Sequence, residues 1–386
     1  MKFPREEQNS CSFPCYHRMS TTGSIFVLGS GTSEGVPVVS CLLDPDSKCA
    51  TCMDANSDRY SKNRRRNTSL AIQVPLPATE YETYSNLNMR TNLIEKEQKQ
   101  LQERMAMRRK REGDRKATIV IDIGKFFWQS GLDLFPKLGL ESIDSILLTH
   151  FHIDAIGGLD DLRDWTCRTQ LGYSIPVLCN TRELGIIKNM YPYLVSANQA
   201  NGGGVSSLSF QTVLEPFIPV SSFGLRFIPL PVYHGGSFVS LGFRFGDVVY
   251  ISDCSAIPDC TTELINGRSL PGSGGSLELL QATEEQKQSH ETLKASIVPC
   301  KILIIDCLSF DNVAHPSHFK ITEVTEYLLS LLDPKPEEIF FTGMCHKVNH
   351  EEHSKVLEAF SKEHSLNVRL LYDGQEIPFT WTPCPH

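Results

Sequence analysis

Five side chains of this sequence are of types that bind metal ions, and their placement brings them to one site. His150, His152 and Asp154 lie in the stretch Thr149-His-Phe-His-Ile-Asp154. Before it runs Ile143 to Leu148, an apolar segment of buried-strand length; after it come Gly157-Gly158 and a helical pattern from Leu159. The three residues are therefore expected on a loop just past the carboxyl end of a strand. Residues at i and i+2 of extended backbone point the same way. Two imidazoles and a carboxylate are donors that a borderline metal such as zinc accepts. His234 follows a strand pattern at Leu225 to Val232, and Asp253 follows another at Val248 to Ser252. Three strand ends delivering ligands to one sheet edge is the site geometry of a layered α/β fold.

A second set is built from thiols. Cys49-Ala-Thr-Cys52 is a C-x-x-C, a common metal knuckle, and Cys41 lies shortly before it. Three thiolates need a fourth ligand to close a tetrahedral structural site. A redox pair is the rival reading, but it wants a βαβ setting that is absent here; unliganded thiols are the third.

The elements that must carry these residues alternate. Strand patterns occur at Ser24–Gly29, Asn67–Val74, Thr118–Ile123, Ser174–Cys179, Lys301–Leu308, Glu338–Thr342 and Asn367–Tyr372, and Leu241–Phe245 and Val248–Ser252 read as a hairpin about Gly246-Asp247. Helices are expected over Phe126–Leu138, from Arg182, over Ile321–Leu332 and up to Lys362. Residues 1–22 read as a disordered tail, 23–376 as one domain, and 377–386 as a second tail. Two surface insertions interrupt the domain, at about 75–116 and 256–299. The first is rich in interleaved Lys, Arg and Glu, which reads as a solvated arm; the interleaved acids and missing aromatics argue against a nucleic-acid grip.

Composition excludes several classes. The 386-residue chain has a net charge of −8 and a pI near 5.9, so general affinity for nucleic acid or membrane is not expected. There is no apolar run of about 18 residues, and Met1–Gly23 lacks the apolar core of a signal peptide. Thirteen cysteines in a chain this long do not make a disulfide scaffold, and a reducing compartment, cytoplasm or nucleus, is expected.

The motif His150-Phe-His152-Ile-Asp154-Ala155 resembles the H-x-H-x-D-H signature of the metallo-β-lactamase superfamily, with Ala155 in the last His position. The continuation Gly157-Gly-Leu-Asp-Asp-Leu-Arg163 resembles the branch around the phosphoribosyl cyclic phosphodiesterase, as does the loop Ser30-Gly-Thr-Ser-Glu-Gly-Val-Pro37 after the first strand. The resemblance covers about residues 24–376. It implies a four-layer αββα sandwich. It also implies a catalytic metal, zinc with manganese or iron as alternatives, on His150, His152, His234 and Asp253. A structural zinc is implied on Cys41, Cys49, Cys52 and His346, with His350 in reserve, although the family's cysteines are more tightly spaced. Asp122 would support the metal loop from outside the ligand shell. Asp154 would orient or deprotonate the attacking water, and His318 would protonate the leaving oxygen, with His315 as the competing donor. Dinuclear relatives place a His where Ala155 and Gly343 stand here, so one tightly bound catalytic metal is expected. The implied activity is metal-dependent hydrolysis of a small cyclic or nucleotide-like phosphodiester by metal-activated water. The alternatives are a tRNA 3′-end-processing type of endonuclease and a non-catalytic scaffold that keeps a structural zinc. The oligomeric state is left open, a dimer included.

Overall fold

Most strands of this protein are apolar on both faces, as a sheet covered on both sides requires. The computed structural model describes residues 21–75, 116–168, 174–196, 204–270, 274–311 and 313–382. Among these residues two sheets of seven strands form. The first runs, in spatial order, β14 (Glu376–Trp381), β1 (Thr21–Gly29), β2 (Ser69–Pro75), β3 (Lys116–Ile121), β4 (Ser145–Leu147), β5 (Ile175–Cys179) and β6 (Leu208–Thr212). The second runs β13 (Val368–Leu370), β12 (Glu338–Thr342), β11 (Ile302–Asp306), β10 (Val248–Ile251), β9 (Val239–Phe245), β8 (Leu225–Tyr233) and β7 (Val220–Ser222). Both sheets share one plan. β14 to β3 pair antiparallel and β3 to β6 parallel. Likewise β7 to β10 pair antiparallel and β10 to β13 parallel.

The two-residue period of a strand sorts its side chains between layers. On β1, Ile25 and Val27 join Ile72, Ile119, Phe243, Tyr250 and Ile304 in the core between the sheets. Phe26 and Leu28 point the other way and pack with Phe127, Phe135, Ile187 and Leu194 from outer helices. On β8 and β11, Ile228, Leu230, Leu303 and Ile305 pack with Leu264, Leu293, Val324, Leu328 and Leu357 from the helices on the other flank. The result is the expected αββα sandwich.

The structure differs from expectation in three places. The expected C-terminal tail, 377–386, contains most of β14, whose Trp381 pairs with Thr21 of β1. The alternation Ile377, Phe379, Trp381 supplies the buried face of that edge strand. The expected surface insertion 256–299 holds helices Asp259–Asn266, Gly274–Leu279 and Glu284–Ser296, and it packs on the second sheet through Leu264, Ile265 and Leu293. Asp154 stands in a helical turn, Ile153–Ile156, for which His152 is the N-terminal flanking residue, and not in a loop. The tail before Thr21 and nearly all of the 75–116 insertion lie outside the described residues. No helix among the described residues is long and apolar enough to cross a membrane.

The parallel strands fix where chemistry can occur. β3 and β4 in one sheet, and β8, β10, β11 and β12 in the other, all end at the same edge of the sandwich. There the backbone N–H of Leu241 donates to the carbonyl of Thr149 at 3.0 Å, joining the sheets above the core.

Candidate metal centre

The loop after β4 is set by a carboxylate beneath it. Asp122, just past β3, has φ of 61° and is buried. Its two oxygens accept from the backbone N–H of Thr149 at 2.8 Å and from the Thr149 hydroxyl at 2.7 Å. Having spent its proton on Asp122, the hydroxyl accepts from His150 Nδ1 at 2.8 Å. His150 Nε2 is thereby left as the bare nitrogen, and it is buried with no hydrogen-bond partner. A lone pair buried without a partner is costly unless a proton or a metal meets it.

His234 repeats the arrangement from the other sheet. Its Nδ1 donates to the carbonyl of Ser317 at 2.8 Å, so Nε2 faces inward. That Nε2 stands 3.2 Å from His152 Nδ1. Two nitrogens of a tetrahedral zinc with bonds of about 2.0–2.1 Å lie about 3.3 Å apart, which matches. Ligating atoms of His150, His152 and His234 lie within 4.8 Å of one another, and those of His234, Asp253 and His318 form a second such group. The residues present fit a divalent metal.

The carboxylates differ in environment. Burial opposes the charge on Asp253, but His150, His318 and His234 outweigh it and hold its pKa below the usual carboxylate range. Burial, with Asp253 adding repulsion, pushes Asp154 up to about 7. Asp154 Oδ1 is 4.0 Å from His150 Nε2, so Asp154 stands beside the ligand groups and outside both. Burial pushes His150 down to about 3, which keeps it a neutral donor.

His318 lies nearer the ligands than a remote proton donor would, its ring centroid 4.9 Å from that of His234. Its Nδ1 donates to Asp306 Oδ2 at 3.1 Å. Burial opposes its charge, yet Asp306 and its hydrogen bond push it up to about 9. His315 is exposed, its ring 5.0 Å from that of His318. Asp306 went unread in the sequence. Its signal was nonetheless there, since it ends an apolar strand as Asp253 does. Phe238, also unread, stacks on His152 at 5.1 Å with 8° between the planes.

The cysteine cluster assembles from opposite ends of the chain. Cys41, Cys49, Cys52 and His346 bring their donor atoms within 4.8 Å of one another. His346 Nδ1 is 3.4 Å from Cys41 Sγ and 3.5 Å from Cys49 Sγ. The edge between sulfur and nitrogen in a tetrahedral zinc site is about 3.6 Å. Burial, with Cys49 and Cys41 close by, pushes the Cys52 thiol up to about 12. A bound cation reverses this, because a ligating thiol is deprotonated outright. His350 is not part of the cluster: its ring packs against Tyr372, and its backbone N–H donates to Asn63 Oδ1 at 2.7 Å. Arg65, wholly buried beside the cluster, donates to the carbonyl of Cys345 at 3.2 Å and puts a positive charge near the thiols.

Residues 118–270, which include the three histidines and Asp253, match the family model described as a beta-lactamase superfamily domain. The crystal structure of a diphosphatase of the PhnP family is similar over 94% of this chain and all of its own, with a TM-score of 0.61 and 23% identity. This protein has the metallo-β-lactamase fold. Zinc-bound PqqB from Methylobacterium extorquens shares this fold over 92% of the chain and 99% of its own, with a TM-score of 0.53 and 14% identity. Among curated proteins, an octanoyltransferase from Porphyromonas gingivalis (strain ATCC BAA-308 / W83) is 26% identical over 350 residues. That match covers 91% of this chain and 50% of the relative, so the chain spans about half the relative's length.

Within this metallo-β-lactamase fold the two positions that lack a ligand are closed by packing. Ala155 is buried among Ile123, Ile156 and Leu159. Gly343 has φ of 75°, and a Cβ there would come within 2.2 Å of Asp306 Oδ1. The carboxylate of Asp306 fills the room that a side chain at 343 would need.

Proposed function

We propose that this protein is a metal-dependent hydrolase of small phosphodiesters or diphosphate esters. The single observation that carries the reading is the inward set of His150, His152, His234 and Asp253, with the Asp154 carboxylate and the Asp306-held imidazole of His318 beside it. Its metal is zinc in this reading, with manganese or iron as alternatives. A divalent ion held by that set supplies a Lewis acid that makes hydroxide available at neutral pH and offsets phosphoryl charge.

The chain's own residues handle the protons. Asp154 takes the proton of the attacking water as its oxygen bonds to phosphorus. The bond from phosphorus to the leaving oxygen breaks, and His318 gives that oxygen its Nε2 proton. Asp306 keeps the His318 ring in the tautomer and orientation this needs. Cys41, Cys49, Cys52 and His346 hold a second, structural zinc. The fold shared with a diphosphatase supports the substrate class. The octanoyltransferase name belongs to a protein about twice as long, and the groups converging here are imidazoles and carboxylates with no thiol among them.

The test is the purified protein with a panel of phosphodiesters and diphosphate esters, alongside elemental analysis. Turnover that is lost on chelation and restored by zinc or manganese is expected, with two zincs per chain. Absence of turnover across the panel would overturn the activity. Three tightly held ions would overturn the single catalytic metal.

A further inference from the structure

One wall of the candidate centre is a stack that its metal chemistry does not use. The turn after β8 folds back on itself: the backbone N–H of His234 donates to the carbonyl of Phe238 at 2.9 Å, and that of Phe238 donates to Gly235 at 3.1 Å. The turn lays the Phe238 ring flat on His152. The Arg182 guanidinium lies over the same Phe238 ring, its Cζ 4.7 Å from the ring centroid. Phe151, between the two metal-site histidines of its loop, flanks the same guanidinium at 5.5 Å and meets Phe238 edge-on at 5.2 Å.

Arg182 is held by more than stacking. Its Nε and Nη2 donate to Glu183 Oε1 at 3.0 and 2.7 Å, and Nη2 also donates to the carbonyl of Val239 at 2.7 Å. Glu183 is buried, whereas the Arg182 side chain is 42% exposed. A long flexible side chain on the surface is thus pinned from below by a buried carboxylate and from the side by two rings. Neither of the two donors that hold it is Nη1, which among the described residues is left for another partner. Pinning spends side-chain entropy in advance, and a planar guanidinium held this way presents its remaining donors in a fixed direction.

We propose that Arg182, with Phe238 and Phe151, forms an anion subsite beside the metal centre, which selects substrates carrying a second phosphate next to the scissile one. This rests on the hydrolase reading above and narrows it to diphosphate-bearing esters. The guanidinium and His152 pack against one and the same ring, Phe238. A phosphoryl group at the metal site therefore leaves the adjoining phosphate within reach of Arg182. A phosphodiester with no further charge has nothing to offer it.

The experiment compares ADP-ribose with bis(p-nitrophenyl) phosphate in the wild-type holoenzyme and in Arg182→Gln. The ratio of kcat/KM for the two substrates is expected to fall about tenfold or more in the variant, mostly through KM for ADP-ribose, as for the loss of a charge-assisted contact. Equal losses on both substrates, with reduced metal content, would mean that Arg182 merely holds Phe238 under His152, and would overturn the subsite. An unchanged ratio would overturn it as well. If the wild type turns over neither substrate, the hydrolase reading fails separately. Calorimetric titration with ADP-ribose then decides the subsite: weaker binding to Arg182→Gln supports it, and equal or absent binding to both proteins refutes it.

Discussion

Replacing Gly343 by Ala isolates the close contact that keeps a ligand away from the second metal position. Two costs add. A φ of 75° costs an L-residue about 1–2 kcal/mol. The new Cβ would meet Asp306 Oδ1 at 2.2 Å, so the buried carboxylate must move. Its other oxygen accepts from His318 Nδ1, Cys254 N and Phe319 N at 3.1, 3.2 and 3.3 Å. Weakening even one bond to a buried charge costs about 1.5–3 kcal/mol. The sum is about 3–5 kcal/mol, or a fall in Tm of roughly 4–6 °C for a chain of this length. The assay is reversible denaturation of the wild type, Gly343→Ala, Asp306→Ala and the double variant. Without the carboxylate only the backbone cost remains, so Gly343→Ala should cost about 1–2 kcal/mol in the Asp306→Ala background, a coupling of about 2–3 kcal/mol. Equal costs in both backgrounds would refute the steric argument. So would a single-variant cost below about 1 kcal/mol.

Four further outcomes follow from the same geometry. Cys49→Ser should release one zinc per chain and lower the Tm while leaving the metal at the histidine set in place; retention of both ions by elemental analysis would count against the cluster. Burial, with Arg65 and Lys62 adding repulsion, pushes His350 down to about 4. A depressed folded pKa gives stability that is present above about 6.5 and lost as pH falls from there through about 4. After discount for its partial exposure this is about 2 kcal/mol, visible as a flatter acid limb in the His350→Gln variant, and a parallel limb would contradict it. Asp154→Asn should lower kcat by about 10²–10⁴, and His318→Ala should slow esters with poor leaving groups far more than p-nitrophenyl esters; equal slowing of both classes would remove His318 from the proton-donor role.

The residues of the candidate centre are legible because each ends an apolar strand or follows one closely, a pattern that survives in one dimension. His150, His152, His234 and Asp253 group together on this pattern alone. The distance between Cys41 and His346 along the chain, by contrast, hides their contact, and only a family resemblance linked them. Asp306 escaped notice because a carboxylate at a strand end looks the same whether it binds a metal or steadies a histidine. The helices within 256–299 were obscured by Pro271-Gly-Ser-Gly-Gly275 and by polar outer faces, although Thr283 and Gln286 form a capping box that marks one start. The strand at the end of the chain reads as a tail because it is short and closes a sheet begun some 350 residues earlier.

That last strand has a consequence for how the domain can be used. Thr21 and Trp381 are cross-strand neighbours, and Thr380 also bonds Asp247 at the start of β10, the end of that strand opposite Asp253. Both ends of the domain therefore leave side by side from the floor of the sandwich, facing away from the histidines. A domain wired in this way can be spliced into a longer polypeptide like a cartridge, its leads adjacent and its working mouth clear of the host.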